Sequence, residues 1–467
     1  MKTQLFIMVC LLFSLTSCNK WLDVELENKV DEDKLFSTTE GFKEALAGVY
    51  SQMAGKSMYG QALTMEYVDL MGQYYSYNSV GTAYTYFKDF KYTDKTVKST
   101  IASFWNNLYS CIAAANNILN WADKNAGVLT GTDRDQVRGE ALALRAFLHF
   151  DLYRLFCPDV KFSPQTEGIP YNKEFGVALP PMYTVEEIVQ LIINDLKEAE
   201  TLLANDPIVS TVPYTLDTKN DADKYVARIN LYGVKAMLAR AYQAKGDNVK
   251  AVDYAKEVIE SGKFRLLEFS SVDQTEAATD VLFSDEHIFS LRNKDLKDYS
   301  EKLHRDEKKD GATQAKPLPF GSYYNWYEGN NDDVRYSKWF NLGDFMKYYM
   351  ANTDLFFRKM PMIKLSEMYL IVAECSFDTD SDVSLEYLNM LRDHRIRNHV
   401  HLQYLSKESI QDEMRREYLG EGQMWYVMKR NNLKIETGSA DGSIEPSDVV
   451  YVFPMPDAEI EDGHRQN

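Results

Sequence analysis

Between residues 226 and 262 the apolar positions recur at helical spacing in two successive runs. Met237, Leu238, Ala241 and Tyr242 line one face of the first run, three to four residues apart. Gly246-Asp247 breaks it. In the second run Ala251, Val252, Ala255, Val258 and Ile259 face one way, and Gly262 stands where a helix C-cap would. The pattern predicts a helix–turn–helix of about the length of a tetratricopeptide unit, roughly 34 residues. Leu238-Ala239-x-x-Tyr242 matches the first-helix signature with Ala for Gly, and Ala251 matches the start of the second. Ala255 replaces the usual large apolar residue, and no Pro closes the unit. An ordinary helical hairpin is the alternative. Either way, one hairpin cannot bury its own apolar face, so partners must lie elsewhere in the chain.

The same periodicity places further helices. Ser37-x-x-Glu40 reads as a capping box opening a helix through Phe42, Leu46 and Tyr50. Residues 104–122 carry Trp105, Leu108, Ile112, Ala115 and Leu119 on one stripe. Asp133-Arg134-Asp135 is expected to cap a helix at 136–156, apolar around much of its circumference and so central. Its Arg138, Glu140 and Arg145 are expected in ion pairs at the margins. A partner helix follows at 185–203, then a turn-rich linker at 205–223. Late in the chain, 362–375 and 383–396 form another hairpin, followed by 410–418, 424–428 and a closing run at 449–453.

Two stretches break the pattern. From Met58 to Tyr92, rings interleave with Gly, Ser, Asn and Thr, and no helical period survives through residues 74–86, which predicts an aromatic loop. Residues 265–359 lack sustained periodicity as well, apart from a short strand at 289–291. They hold a second aromatic zone from Tyr299 to Phe340. Loops this long are functional or disordered, and so many rings argue against disorder.

Composition sharpens this picture. The chain has 467 residues, 31 Tyr, 23 Phe and 6 Trp, with a net charge of −18. That charge argues against nucleic acid and anionic lipid surfaces as partners, because both would repel it. Helical cores prefer Leu and Ala, so much of the Tyr excess is expected near the surface, where a ring can stack on a ligand while its hydroxyl stays wet. Residues 1–17 read as a secretory leader: Lys2 is followed by an apolar run at 5–15, too short for a mature membrane span. Leu15-Thr16-Ser17-Cys18 looks like a bacterial lipobox, in which Cys18 is acylated; a plain secretory signal is the alternative. Acyl chains contribute roughly 0.8 kcal/mol per buried CH₂, enough for a lasting anchor without a transmembrane helix. Cys111, Cys157 and Cys375 form no CxxC and cannot all pair, so they are expected as buried small apolar residues.

Several pieces, taken in order, resemble the SusD/RagB family of outer-membrane nutrient-binding lipoproteins. They are the lipobox with Trp21-Leu22-Asp23 behind it, Phe36-Ser37-Thr38, Trp105-x-x-Leu108-Tyr109 and Asn116-Asn117-Ile118-Leu119. Next come Gly139-Glu140-Ala141 through Arg145-Ala146-Phe147 to Tyr153, then Asn194-Asp195-Leu196-x-x-Ala199 and the 226–262 hairpin. Lys364-Leu365-Ser366-Glu367-Met368-Tyr369-Leu370, Arg415-Arg416-Glu417-x-x-x-Glu421-Gly422 and Pro454-Met455-Pro456 complete the series. Cys157-Pro158-Asp159 departs from it, standing where a glycine-containing turn is usual. The resemblance implies a mainly α protein of about four tetratricopeptide-like hairpins with a loop-rich lobe packed on them. It divides the chain into a signal peptide (1–17), a tether (18–34), an N-terminal helical region (35–264) and a C-terminal region with the lobe and last hairpin (265–467). It also implies a lipid-anchored, surface-exposed outer-membrane protein that binds oligosaccharides, or peptides in the RagB branch, for a TonB-dependent SusC-like transporter. Ligand sites vary within the family and share no motif, so no binding residue carries over.

Candidate chemistry is therefore read from the residues themselves. No HExxH, GxSxG, P-loop or GxGxxG pattern is present. Glycan hydrolysis needs two carboxylates about a scissile bond, and Glu328, Asp332 and Asp333 near Trp326 read instead as a solvated loop. His399-x-His401, with His394 upstream, is not by itself a metal site, so no metal or cofactor is expected. Asp378-x-Asp380-x-Asp382 copies the opening of a calcium loop, but Val383 replaces the required Gly and Asn389 the bidentate Glu. Helix capping is the better reading of it, with calcium as the alternative. Sugars want flat rings flanked by Asn, Asp, Gln or Arg in a shallow site. Tyr75, Tyr77, Asn78 and Tyr84 from the first zone, and Tyr324, Trp326, Asp332, Arg335 and Trp339 from the second, are the expected ligand contacts. Packing of the lobe is the competing role for each. An oligosaccharide-binding, non-catalytic lipoprotein is the leading expectation. Peptide capture, with Arg335 and Lys338 receiving carboxylates, and a protein–protein scaffold built on the helical repeats are the alternatives.

Overall fold

The computed structural model describes residues 32–75, 82–210, 225–274, 279–305, 323–349, 358–436 and 442–463, with short pieces at 307–309, 312–314, 318 and 320–321. The expected leader, Cys18 and most of the tether lie outside the described residues.

Helix α1 (Thr39–Met53) starts where a cap was expected, but the capping residue is Thr38, whose side chain accepts the Gly41 amide. Ser37 instead turns its hydroxyl back to the Lys34 carbonyl at 2.7 Å. Helix α2 (Lys95–Lys124) begins well before residue 104 because Asp94 accepts the amides of Thr96 and Val97. Helix α3 (Gly131–Phe156) likewise begins early, so Asp133 sits inside its first turn rather than capping it. As its composition predicts, α3 is buried almost all round from residue 139 onward. Only Arg138 keeps the expected marginal pairing, with Asp123. Glu140 and Arg145 are inside, where Glu140 receives Arg228 at 2.9 Å and Arg145 grips both oxygens of Asp195 at 2.7 and 2.8 Å. Helix α4 (Val185–Leu202) opens on a reciprocal capping box between Thr184 and Glu187.

The hairpin read from residues 226–262 forms as α5 (Leu231–Lys245) and α6 (Asn248–Glu260). Gly246 ends α5 at φ +82°, a left-handed conformation that glycine adopts without a Cβ penalty, and Asp247 caps α6. Helices α7 (Leu365–Ser376) and α8 (Ser381–Asp393) follow. From α2 to α8 each helix packs on the next, and α1 lies against α2 and α3. The fold is mainly helical, with tetratricopeptide-like pairs α1/α2, α3/α4, α5/α6 and α7/α8. Ala236, Ala239, Ala241, Ala251 and Ala255 are wholly buried, and α6 packs against both α5 and α7.

Residues 265–359 are more structured than their pattern predicts. The expected strand is β1 (His287–Arg292), and it pairs antiparallel with β2 (Lys359–Lys364), with Leu291 opposite Met360. Sequence reading began a helix at 362; tertiary pairing holds those residues extended, and α7 starts only at Leu365. Helices Leu296–His304, Tyr323–Trp326 and Val334–Trp339 fill the lobe between the strands. Helix α9 (Lys407–Glu417) and helix α10 (Met424–Arg430) then close the stack, and the final run contains a short helix at Asp448–Tyr451. Cys111, Cys157 and Cys375 are buried and unpaired, as expected.

Lobe and stack meet on buried ions. Glu417, on α9, accepts Arg395 at 2.9 Å, Arg335 at 3.0 Å and Lys364 at 2.8 Å, and none of these side chains is more than 2% exposed. Burial would raise the Glu417 pKa, but Arg395 and Lys364 outweigh it and hold the carboxyl well below its usual range.

Candidate functional site

The two aromatic zones, far apart in the chain, form one lobe. The amide of Gly321 donates to the Tyr74 carbonyl at 2.8 Å, and Tyr75 makes an antiparallel bridge with Phe320. Tyr75 is only 2% exposed: its ring lies parallel to His304 and its hydroxyl donates to the Met65 carbonyl at 2.6 Å. It packs the lobe rather than facing solvent. Tyr84 lies on a helix, Thr82–Lys88, where an aromatic loop was expected. It is half-buried and donates at 2.7 Å to Glu66, a carboxylate whose pKa burial raises. Tyr77 and Asn78 lie outside the described residues.

In the second zone the short helix Tyr323–Trp326 runs into a polar turn. Glu328 and Gly329 both take left-handed conformations, at φ +55° and +62°, and the Gly329 amide closes on the Tyr324 carbonyl at 2.8 Å. Gly329 is required twice over, since a Cβ there would stand 2.5 Å from the Tyr324 ring. Asp333 then caps the helix Val334–Trp339 by accepting the Arg335 amide at 2.9 Å. On this helix Val334, Arg335 and Trp339 are buried, and Tyr336 is left at the rim.

Besides Tyr75, two more expected ligand contacts are therefore corrected. Arg335 has no exposed side-chain surface, and its guanidinium pairs with Asp333 at 2.8 Å, Glu413 at 2.7 Å and Glu417 at 3.0 Å. Burial opposes its charge, but Asp333 and Glu413 outweigh that and keep it protonated. Trp339 is also fully buried, donating to the Val281 carbonyl at 2.9 Å beneath the Lys347 ammonium. Both side chains hold the lobe together.

What remains at the surface is a rim of rings. Tyr324 is 59% exposed, edge-on to the half-buried Tyr336 at 6.1 Å. Tyr323 stacks on Phe340 at 4.1 Å, and Trp326 stands edge-on to Tyr74 at 5.3 Å. Tyr324 and Trp326, two residues apart on one helix, leave it on different sides. Asn325 and Asp332 are exposed beside the rings, and Asn330 is half-buried. Tyr323 and Tyr336 were not singled out from sequence. An Asp333 N-cap, read as such, would have predicted the helix start but not which of its residues face outward.

Two concave features elsewhere are less suited to a sugar ring. A cavity of about 40 Å³ between α3, α5 and α10, bordered by Tyr418 and Tyr426, has room only for a few waters. A groove of about 460 Å³ runs along α2 between Trp105, Leu179 and Met455. Its one ring, Trp105, is 3% exposed, so no aromatic face is presented there. The calcium-like acids are engaged locally: Asp380 caps α8 through the Val383 amide, and Asp378 pairs with Lys407 at 2.8 Å.

Residues 20–231 match a SusD-like family model described as starch-binding associating with outer membrane. Across the whole fold, a SusD superfamily protein of Bacteroides vulgatus superposes with a TM-score of 0.71 at 23% identity, covering 92% of this chain and 98% of that one. Over residues 20–231 the chain is similar to the SusD-like family, and its fold is that of the SusD superfamily structures. Among its SusD-like relatives, protein P2 of Formosa agariphila is 25% identical over 264 residues, 56% of this chain and 46% of that protein. The chain thus spans under half the length of the curated relatives it matches. The surface glycan-binding protein A of Bacteroides thetaiotaomicron, solved in complex with laminarihexaose, shares the fold at 17% identity, with a TM-score of 0.67 over 91% of this chain and 98% of that one.

Proposed function

We propose that this protein captures oligosaccharides at the cell surface and passes them, unaltered, to a TonB-dependent SusC-like outer-membrane transporter. The observation that carries the reading is the outward Tyr324 ring on a polar turn, with Tyr336 and Tyr323 behind it and Asn325, Asn330 and Asp332 alongside. A pyranose offers C–H faces between hydroxyls, which flat rings flanked by amides and carboxylates match. The family description, starch-binding, supports the same ligand class.

The acids beside the rim support binding without turnover. Asp333 is buried in an ion pair with Arg335, which leaves Glu328 and Asp332 on a solvated turn instead of a facing pair. Acylation at Cys18 supplies the anchor in this reading. No helix of the described residues is long and apolar enough to cross a membrane. Peptide capture relied on Arg335 and Lys338 as carboxylate receptors, and burial of Arg335 removes the stronger of the two.

Purified mature protein screened against a glycan array and a peptide library tests the reading. Retention of one glycan class, lost in Tyr324→Ala, is the expected result. Selective binding of peptides would overturn the ligand class, failure of both libraries with an intact transporter pulldown would favour the scaffold, and release of shortened glycan would overturn the non-catalytic role.

A further inference from the structure

One cluster of side chains is left without a role by the ring-bearing rim. Helix α8 ends at Asp393, and the chain then folds back over that carboxylate. His399 Nδ1 lies 2.9 Å from Asp393 Oδ1, while His401 Nε2 lies 3.1 Å from the same oxygen and 2.9 Å from Oδ2. One donor atom from each of the three falls within 4.8 Å of the others. The loop is pinned on both sides of the histidines. Upstream, Arg395 is buried against Glu286 and Glu417. Downstream, the Asn389 side chain exchanges hydrogen bonds with the Leu402 backbone at 2.9 and 3.1 Å. Between the pins Asn398 adopts φ +53°, a left-handed conformation uncommon outside glycine.

We propose that Asp393, His399 and His401 bind a divalent transition-metal ion of the Zn²⁺, Cu²⁺ or Ni²⁺ type. Two imidazole nitrogens and a carboxylate oxygen suit these ions, whereas Ca²⁺ and Mg²⁺ take oxygen ligands. With metal bonds of about 2.0–2.2 Å, ligand atoms stand roughly 3–3.5 Å apart; both His–Asp distances are already close to this, and the two imidazole nitrogens lie within 4.8 Å of each other. The ion has a way in, because the side chains of Asp393 and His401 are 40% and 56% exposed. Three protein ligands leave at least one coordination position to solvent.

Arg392 opposes the metal. Its Nε donates to His399 Nε2 at 3.1 Å, so in the free protein the imidazole proton sits on Nδ1, facing Asp393. A metal bound at Nδ1 takes that position, the proton moves to Nε2, and the Arg392 Nε–H loses its acceptor. Its Nη1 stays on Glu413 at 2.6 Å. The same loop backs onto the ring-bearing turn, where the Arg397 amide donates to the Asp332 carbonyl at 3.0 Å. An ion there braces that turn from behind.

Calorimetric titration of the mature chain with Zn²⁺ tests the site. The expected result is one bound equivalent, weakened at least tenfold in His401→Ala and strengthened in Arg392→Gln. His401 is exposed and its loss leaves the packing intact, so this variant decides. Electron paramagnetic resonance with Cu²⁺ gives a second readout: two nitrogen ligands in the native chain and one in His401→Ala. Absence of saturable Zn²⁺ binding, affinity unchanged in His401→Ala, or preference for Ca²⁺ over Zn²⁺ would each overturn the proposal.

Discussion

The indole of Trp326 stands edge-on to the ring of Tyr74, with centroids 5.3 Å apart and planes at 75°. Tyr74 belongs to the first aromatic stretch and Trp326 to the second. Contacts of this kind contribute about 0.5–1.5 kcal/mol beyond the area they bury, and the neighbouring Gly321–Tyr74 and Tyr75–Phe320 backbone contacts set the register. The two stretches are therefore one packed unit. Most of their rings are scaffold, and only the rim meets solvent.

Replacing Tyr324 by Ala separates rim from scaffold. The ring is 59% exposed, so stability should change by no more than about 0.5 kcal/mol. Glycan affinity should fall about tenfold, the loss of one stacking surface worth roughly 1–1.5 kcal/mol. Chemical denaturation and calorimetry on the same preparation check both halves.

Gly329→Ala should reach the same ring through the backbone. A left-handed conformation costs an L-residue roughly 1–2 kcal/mol, and the new Cβ would meet the Tyr324 ring at 2.5 Å. Binding should weaken about as much as in Tyr324→Ala, with the far-ultraviolet dichroism unchanged. Native affinity in this variant would mean that the turn does not set the ring.

Trp339→Ala should behave in the opposite way. Removing a fully buried Trp costs about 3–5 kcal/mol and leaves the Val281 carbonyl without its indole donor. The unfolding midpoint should drop sharply, while the affinity per folded molecule stays native. A selective loss of binding would return Trp339 to the ligand site.

The ion cluster around Glu417 predicts a pH response. In the unfolded chain a Glu titrates near pH 4.3, whereas Arg395 and Lys364 overcome burial and hold the folded Glu417 far lower. Below about pH 4.3 the unfolded state takes up a proton that the folded state refuses, so stability present at neutral pH is lost as pH falls toward the folded value. Glu413 is shifted in the same direction, with Arg335 the chief cause opposing burial. Glu417→Gln should cost about 3–5 kcal/mol at pH 7 by removing a buried carboxylate that Arg335, Arg395 and Lys364 share. It should then lose less than the native chain between pH 5 and 4. Denaturant midpoints across that range decide, and parallel slopes would count against the assignment.

The helical pairs were legible because their determinants are local. Gly246 ends α5, Asp247 starts α6, and the buried Ala positions recur every three or four residues, all within reach of a single turn. Errors arose where a distant partner intervened. Residues 362–364 carry a helical pattern yet stay extended because β1 pairs with them.

For the candidate site, local pattern was not enough. Arg335 and Tyr336 are adjacent and equally suited by composition to grip a sugar, yet one is sealed inside and the other stands at the rim. What separates them is the pair of carboxylates on α9, Glu413 and Glu417, which lie far along the chain and draw one face of a short helix inward. The amino-acid sequence by itself determined the repeating helical pairs, the aromatic richness of the lobe and the family likeness. Only the tertiary structure decided which rings face water, because burial depends on what packs across from a residue, and spacing along the chain records nothing of that.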